Sequence, residues 1–551
     1  MSHDDELGTL ARDVVEATLR WAFHSSDDIP RLPHPIGWMP DFTPAALERR
    51  RVEIAELRAR WRALDASAAA PSAQIEHRLA GAILNRAHWD LNVTRNAERN
   101  AVFQFSQILG PFYDLTLPLP PYDEARQDAL IAVLAAVPAQ VEVARAHLEE
   151  HGVADLARAA VTEMESIGTR VRTAAEALRI HVDPDRHAAL GAAAEAAAAA
   201  LDEWCAWLDD AADRMAPARA VGRDSFVWFL RAVALIPDDP DDLVRAATQD
   251  LNRAIVWEQL TRNRYRNAPP AELARTIEEQ VDTEARHERQ IRDFYEREDL
   301  LSQPETLKHY LIAEMPPWIE QLRSLGVPDD LTDEQRLAQN AVSYMPKPRT
   351  ELPYFYAANA KDPRLGIIHE GAHYQQLALS WASASPIRRR YIDSSANEGV
   401  AHYNEEMMLM AGLFDDAPHS ETVVHNFARL RALRVIADVN LATGEFTLAQ
   451  AIEHFVNAVP MDAETAREES AMYLATPGLA MSYHVGKQQM LALVADAIAA
   501  WGEEFSFRRI HDAVWQHGNT PFSLLRWEIL GDRSTIDRLD ADLAELSDPV
   551  G

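Results

Sequence analysis

Asp123-Glu-Ala-Arg-Gln-Asp-Ala-Leu-Ile-Ala-Val-Leu-Ala-Ala-Val-Pro-Ala-Gln-Val-Glu-Val-Ala-Arg-Ala-His-Leu-Glu-Glu150 decides the fold class. Its apolar residues recur at three- and four-residue spacing, as in Leu130, Val133, Leu134, Val137 and Val141, and so share one face of an α-helix. The pattern returns over Pro44–Ala63, Val153–Arg179, Arg186–Met215, Pro240–Arg264, Pro270–Glu298 and Leu331–Tyr344, in a chain rich in Ala, Leu, Glu and Arg with only 20 glycines. The spacing therefore predicts an all-α protein, a large helical domain of two lobes around a cleft. Breaks fall at Pro30–Pro44, Leu115–Tyr122, Ile236–Asp242 and Met345–Pro353, where proline removes a helical donor. The Ala-rich run Gly191–Leu201 reads as scaffold. With no fixed repeat and no Gly/Ser linker, 1–551 reads as one domain, a seam near Ile236–Asp242 parting a scaffold lobe, 1–240, from a catalytic lobe, 241–551. One segment departs from the helical pattern. Glu351–Ala357 (Glu-Leu-Pro-Tyr-Phe-Tyr-Ala) is aromatic-rich, and Pro353 limits it to an edge strand or extended loop.

The 551 residues, 47% hydrophobic and 25% charged, suffice for a large core. A formal charge of −32 repels phosphate backbones and anionic lipid, which argues against nucleic acid or a membrane surface as partner. Cys205 is the only cysteine, so no intramolecular disulfide or all-cysteine metal site can form. The acidic start Met-Ser-His-Asp-Asp-Glu-Leu lacks the basic and apolar regions of a signal peptide, and no uncharged apolar stretch has the length of a membrane span. These features predict a cytoplasmic chain.

The chemistry concentrates in Gly366-Ile-Ile-His-Glu-Gly-Ala-His-Tyr-Gln-Gln-Leu-Ala-Leu-Ser-Trp381. Residues four apart on a helix are neighbours, so His369 and His373 can present two imidazole nitrogens to one zinc ion. Glu370 stands beside them, placed to accept a proton from a water that the metal acidifies. Catalytic zinc takes a third protein ligand and leaves one position open. Glu398, 25 positions beyond His373, is the candidate for that ligand. If its stretch is helical, His402 and Glu405 share its face and can support the ligands from behind.

The His-Glu-x-x-His helix followed by this glutamate resembles the gluzincins, among them the thimet and neurolysin oligopeptidases and angiotensin-converting enzyme. More closely, three blocks resemble the bacterial domain-of-unknown-function family number 885, whose fold is similar to that of Taq-type carboxypeptidases. They are His369–Gln375, Glu398–Glu405, and Tyr473–Lys487 (Tyr-Leu-Ala-Thr-Pro-Gly-Leu-Ala-Met-Ser-Tyr-His-Val-Gly-Lys). The closing segment Ile510–Leu525, with His511, Gly518 and Pro521, matches as well. The likeness is specific over about the last 200 residues. It implies a long helical fold with a deep cleft, one zinc ion per chain and peptide-bond chemistry. The chain departs from the family pattern in having Gly371-Ala372 as the only spacers before the second histidine, and in Val400, Met472 and Leu479.

In the third block Thr476-Pro477 predicts a helix start. Tyr483 and His484 then lie nearly two turns in, and either can donate to an oxyanion; the resemblance favours Tyr483. Lys487 or Arg388-Arg389-Arg390 offers charge for a substrate carboxylate, although such a basic loop is usually solvated. Tyr354–Tyr356 offers an edge for a substrate backbone. The sequence thus predicts a zinc peptidase of carboxypeptidase or oligopeptidase type acting on a peptide or small amide substrate. Two alternatives stand beside it: a zinc hydrolase of a non-peptide amide or ester in a specialised pathway, and a non-catalytic helical interaction protein with a relict metal motif.

Overall fold

The computed structural model describes residues 3–24, 34–269, 271–349, 352, 354–458 and 463–549. Long helices dominate. Pro44–Ala63 and Pro240–Arg264 form with the expected bounds, each opened by a proline in its first turn. Glu124–His151 is capped by Asp123, whose carboxylate accepts from the Arg126 amide. This helix is long and apolar enough to cross a membrane, yet its Leu130, Val133, Leu134 and Val137 are buried in a core shared with Ile167–Leu178 and His187–Ala212. That core forms one body of the molecule.

A second core surrounds the motif helix, Arg364–Ser380, and draws in Ser394–Met410, Ser482–Trp501, Phe507–Gln516 and Ile277–Arg297. Asp393 starts the Glu398 helix by accepting from the Ala396 amide at 3.0 Å. Buried amides then lock helix to helix. Asn404 donates to the Ile368 carbonyl at 2.6 Å, and Gln376 donates to the Ala396 and Gly518 carbonyls at 3.2 and 2.9 Å. The two ends of the chain share a third core, in which Leu10, Val14 and Ile75 pack with Leu524 and Ile536. Across the expected seam, Ile236 and Leu243 occupy one cluster with Val435 and Met481.

Four local expectations are corrected. Leu331–Tyr344 is not a helix: its end, Ala341–Met345, is the central strand of a small sheet. Strand β1 (Tyr310–Glu314) runs parallel to β3 (Ala341–Met345), and β2 (Asp329–Asp330) pairs antiparallel on the other side, with Tyr310 opposite Ala341 and Asp329 opposite Ser343. The helical composition of 331–340 was outweighed by β-branched and aromatic Val342 and Tyr344, which pack at the sheet. The segment expected as an edge strand is instead the short helix Tyr354–Asn359, while Glu351 and Pro353 lie outside the described residues. Val153–Arg179 divides into Ala154–Glu163 and Ile167–Leu178, because Ser166 takes a left-handed conformation with φ 56°. Pro270–Glu298 begins its helix only at Ile277, with Thr276 as cap.

Candidate metal centre

The motif helix presents His369 and His373 to the Glu398 helix, and all three side chains are buried. Oε2 of Glu398 lies 3.5 Å from Nε2 of His369 and 3.4 Å from Nε2 of His373. For zinc bonds of about 2.0–2.1 Å, neighbouring ligand atoms of a tetrahedral site stand about 3.3–3.4 Å apart, so this spacing fits one ion. Neither ring nitrogen of His373 nor Oε2 of Glu398 makes a hydrogen bond. Buried polar atoms left without such a partner are rare and point to an ion or other group. Glu370 brings a carboxylate oxygen within 4.8 Å of ligand atoms of both histidines.

Behind the trio, Oε1 of Glu405 lies 2.8 Å from Nδ1 of His369, while its Oε2 lies 3.2 Å from Nδ1 of His402. A carboxylate on the far nitrogen of a ligating imidazole fixes ring orientation and raises its basicity. Arg431 completes the chain at 3.1 Å from Glu405 Oε1. The charges answer one another. Burial works against charge on Glu398 and Glu405, but the facing cations overcome it, those of His373 and His369 at Glu398 and chiefly Arg431 at Glu405, and both carboxyls lie below the usual range. Burial also opposes charge on His369, yet Glu398 and Glu405 push it up to about 9. His402 is held down to about 3 by burial and Lys487, and so stays neutral.

The site opens on a cleft of about 1110 Å³, whose wall includes His369, Glu370, Tyr356, Arg431, Arg434 and Tyr483. Tyr483 stacks on His369 with ring centroids 6.3 Å apart and planes 10° from parallel. Its neighbour His484, expected as a second oxyanion donor, is turned away. Its Nε2 lies 3.1 Å from Asp250 Oδ2, and it lines a small separate pocket with His402, Glu406 and Lys487. The cause is helical geometry: adjacent residues diverge by about 100°, so only one of the two can face the cleft. Lys487 is engaged by Glu406 at 2.8 Å, Arg388 by Glu528, and Arg389 and Arg390 by Glu334. The expected backbone edge at Tyr354–Tyr356 is absent, since that segment is helical. The Tyr354 hydroxyl donates to Asn426, while Tyr356 lines the cleft.

Three residues on one helix escaped the sequence reading. Arg431, Arg434 and Asp438 stand at i, i+3 and i+7 along the otherwise apolar inner face of Pro418–Thr443. Arg434 pairs with Glu469 at 2.6 Å and lies 4.7 Å over the Tyr483 ring. Asp438 accepts from the amides of Gly478 and Met481, both at 2.9 Å, and burial pushes its carboxyl up to about 7. This carboxylate organises the turn that sequence reading assigned to Thr476-Pro477. The helix begins at Ser482, five residues later than the expected start at Pro477. Charged residues at helical spacing among apolar ones are the signal that would have found the face.

A family model described as bacterial protein of unknown function (DUF885) matches residues 35–529. The chain belongs to that family. Two solved structures share its fold. One, from Shewanella oneidensis, is described as a candidate lipoprotein of unknown function; it is 14% identical with a TM-score of 0.71, over 96% of this chain and 100% of that one. The other, a candidate lipoprotein from Colwellia psychrerythraea, is 15% identical with a TM-score of 0.71, over 97% and 99%. No curated protein matches. At such identity the likeness carries the fold alone. The expectation of a cytoplasmic chain draws no support from these neighbours, whose own descriptions point to lipoproteins.

Proposed function

We propose that this member of the family is a zinc-dependent hydrolase of peptide bonds, of carboxypeptidase or oligopeptidase type. One observation carries the reading: two imidazole nitrogens and one carboxylate oxygen meet at 3.4 and 3.5 Å on buried helices, beside a further carboxylate, Glu370, that faces the cleft. His369, His373 and Glu398 are the residues that would hold the ion, one per chain. When bound, zinc supplies Lewis acidity and brings the acidity of a coordinated water to a pKa near about 7.

The chain's own groups do the rest. Glu370 accepts the proton of the attacking water and returns it to the leaving amine. Tyr483, stacked on His369 at the cleft wall, donates its hydroxyl proton in a hydrogen bond to the carbonyl oxygen as negative charge develops there. Glu405, itself held by Arg431, keeps His369 in orientation. A cleft of about 1110 Å³ lined by both arginines and carboxylates suits a chain with charges of both signs.

The test pairs metal analysis with substrate screening. The purified protein, His369→Ala and His373→Ala are assayed for bound metal, and the parent is screened against a peptide library alongside acylated small metabolites and esters. We expect about one zinc per chain in the parent, loss of most metal from both variants, and peptide cleavage that a chelator stops. Full zinc in both variants overturns the ligand assignment. Turnover confined to acylated metabolites or esters overturns the peptide substrate.

A further inference from the structure

A separate, partly open cavity, of about 290 Å³, lies between the helices His3–Arg20, Pro44–Ala63 and Pro71–Trp89 and the π-helical turn Asp90–Thr94, and Arg50 stands where it adjoins a wider surface groove. It shares no lining residue with the His369 cleft. Trp21, Ile54, Trp89, Leu91 and Phe103 give it mainly apolar walls. Into this wall is set Arg50, nine-tenths buried, with a buried Nε that makes no hydrogen bond. A guanidinium keeps its charge in any protein setting, and a buried charge without a partner is costly.

Two acids, Asp90 and Glu53, act on Arg50 through charge, but neither is hydrogen-bonded to its Nε. Glu53 is engaged by Arg20 at 2.8 Å and by the Trp21 indole. Asp90 shares the cavity wall with Arg86; burial pushes its carboxyl up while the charges of Arg86 and Arg50 pull it down. Arg390 also lines the cavity; its Nη2 is engaged by Glu334, and its buried Nη1 makes no hydrogen bond. A cavity with an apolar body and unanswered guanidinium donors asks for a ligand of the same build.

We propose that this cavity binds a small amphipathic carboxylate, a medium-chain fatty acid in kind, with its carboxylate on Arg50 and its apolar body along Trp21, Trp89 and Phe103. A carboxylate answers a guanidinium with charge-assisted hydrogen bonds; a neutral apolar ligand leaves Arg50 as it is. The other walls, Arg390–Ser394 and Ala475–Leu479, lead into the helices that bear Glu398 and Tyr483.

Decanoate and decanol serve as probes, titrated into the full chain and followed by calorimetry and by the fluorescence of Trp21 and Trp89. We expect one saturable site that takes decanoate about tenfold or more tighter than decanol, the worth of one charged hydrogen bond. Arg50→Met should remove the preference for decanoate, and Ala87→Phe, which fills the cavity from its wall, should weaken both probes. If Arg50→Met fails to fold, the decanoate preference and Ala87→Phe decide. His373→Ala and chelator treatment should leave binding unchanged. Absence of binding, equal affinity for the two probes, indifference to Ala87→Phe, or loss of binding with the metal, which would place the acid on the ion, each overturns the proposal.

Discussion

A Cβ built on Gly486 would stand 2.7 Å from the Cα of Gly399, so the Glu398 and Tyr483 helices cross backbone to backbone. Nothing larger than a hydrogen fits either position, and the close crossing sets Tyr483 over His369. Gly399→Ala or Gly486→Ala should therefore push the helices apart, at an overpacking cost of about 1–3 kcal/mol or more. Urea unfolding reads the loss of stability, and chelator competition reads the loss of metal. Parental values in both measurements would mean that the crossing relaxes without cost.

Glu405 and Glu398 differ in role, and two measurements separate them. Glu398 touches the Nε2 atoms of both His369 and His373, whereas Glu405 meets His369 at its far nitrogen and does not reach His373, making its other contacts with His402 and Arg431. Loss of such a supporting carboxylate costs about 10–100-fold in metal affinity, so Glu405→Ala should weaken zinc retention by that much and Glu398→Ala by more. Glu405→Ala also leaves Arg431 buried without its anion, a cost of about 3–5 kcal/mol in stability. The reverse order in a chelator competition would make Glu405 the third ligand.

Glu284 predicts a dependence of stability on pH. Both its carboxylate oxygens are buried without a hydrogen bond, and burial pushes its pKa from the ordinary 4.5 up to about 8. The folded state therefore holds this proton more tightly than the unfolded state does. Its contribution is full below pH 4.5 and is lost as pH rises toward 8. Glu284→Met cannot ionise, so above that range it should be more stable than the parent by up to about 5 kcal/mol, with little difference at low pH. Urea midpoints at three pH values check this; a constant difference across the range would contradict it.

What could be read in the sequence was what one helix determines by itself. His369 and His373 are four apart and Pro44–Ala63 carries its own proline start, so neither needs knowledge of a partner. Glu398 follows from the third protein ligand that catalytic zinc requires. Arg431, Arg434 and Asp438 act across helices, on Glu405, on Glu469 and Tyr483, and on the 478–481 turn, and their partners lie from 26 to 49 residues away in the chain. The strand Ala341–Met345 depends likewise on Tyr310–Glu314, with which it pairs. Ser166 breaks a helix although the one nearby glycine, Gly168, lies inside the next helix. Local pattern records local preference, and in each of these places tertiary contact decided.

Glu370 gives the most direct test of the proposed chemistry. It lies within 4.8 Å of the histidine ligand atoms and on the cleft wall, while Glu398, on the other helix, meets both Nε2 atoms at 3.4 and 3.5 Å. In the proposed reaction the two carboxylates divide the work, Glu398 binding and Glu370 moving a proton. Glu370→Gln keeps nearly the same shape and leaves His369, His373 and Glu398 untouched, so the variant should fold and retain about one zinc per chain. An amide cannot take up the proton of the attacking water, and removal of a general base costs about a hundredfold or more in rate. We therefore expect parental zinc content and unfolding midpoint together with a fall of that size in kcat. Activity within about threefold of the parent would exclude Glu370 as the base. Loss of the metal in this variant would instead make Glu370 a ligand and move the proton acceptor elsewhere on the cleft wall.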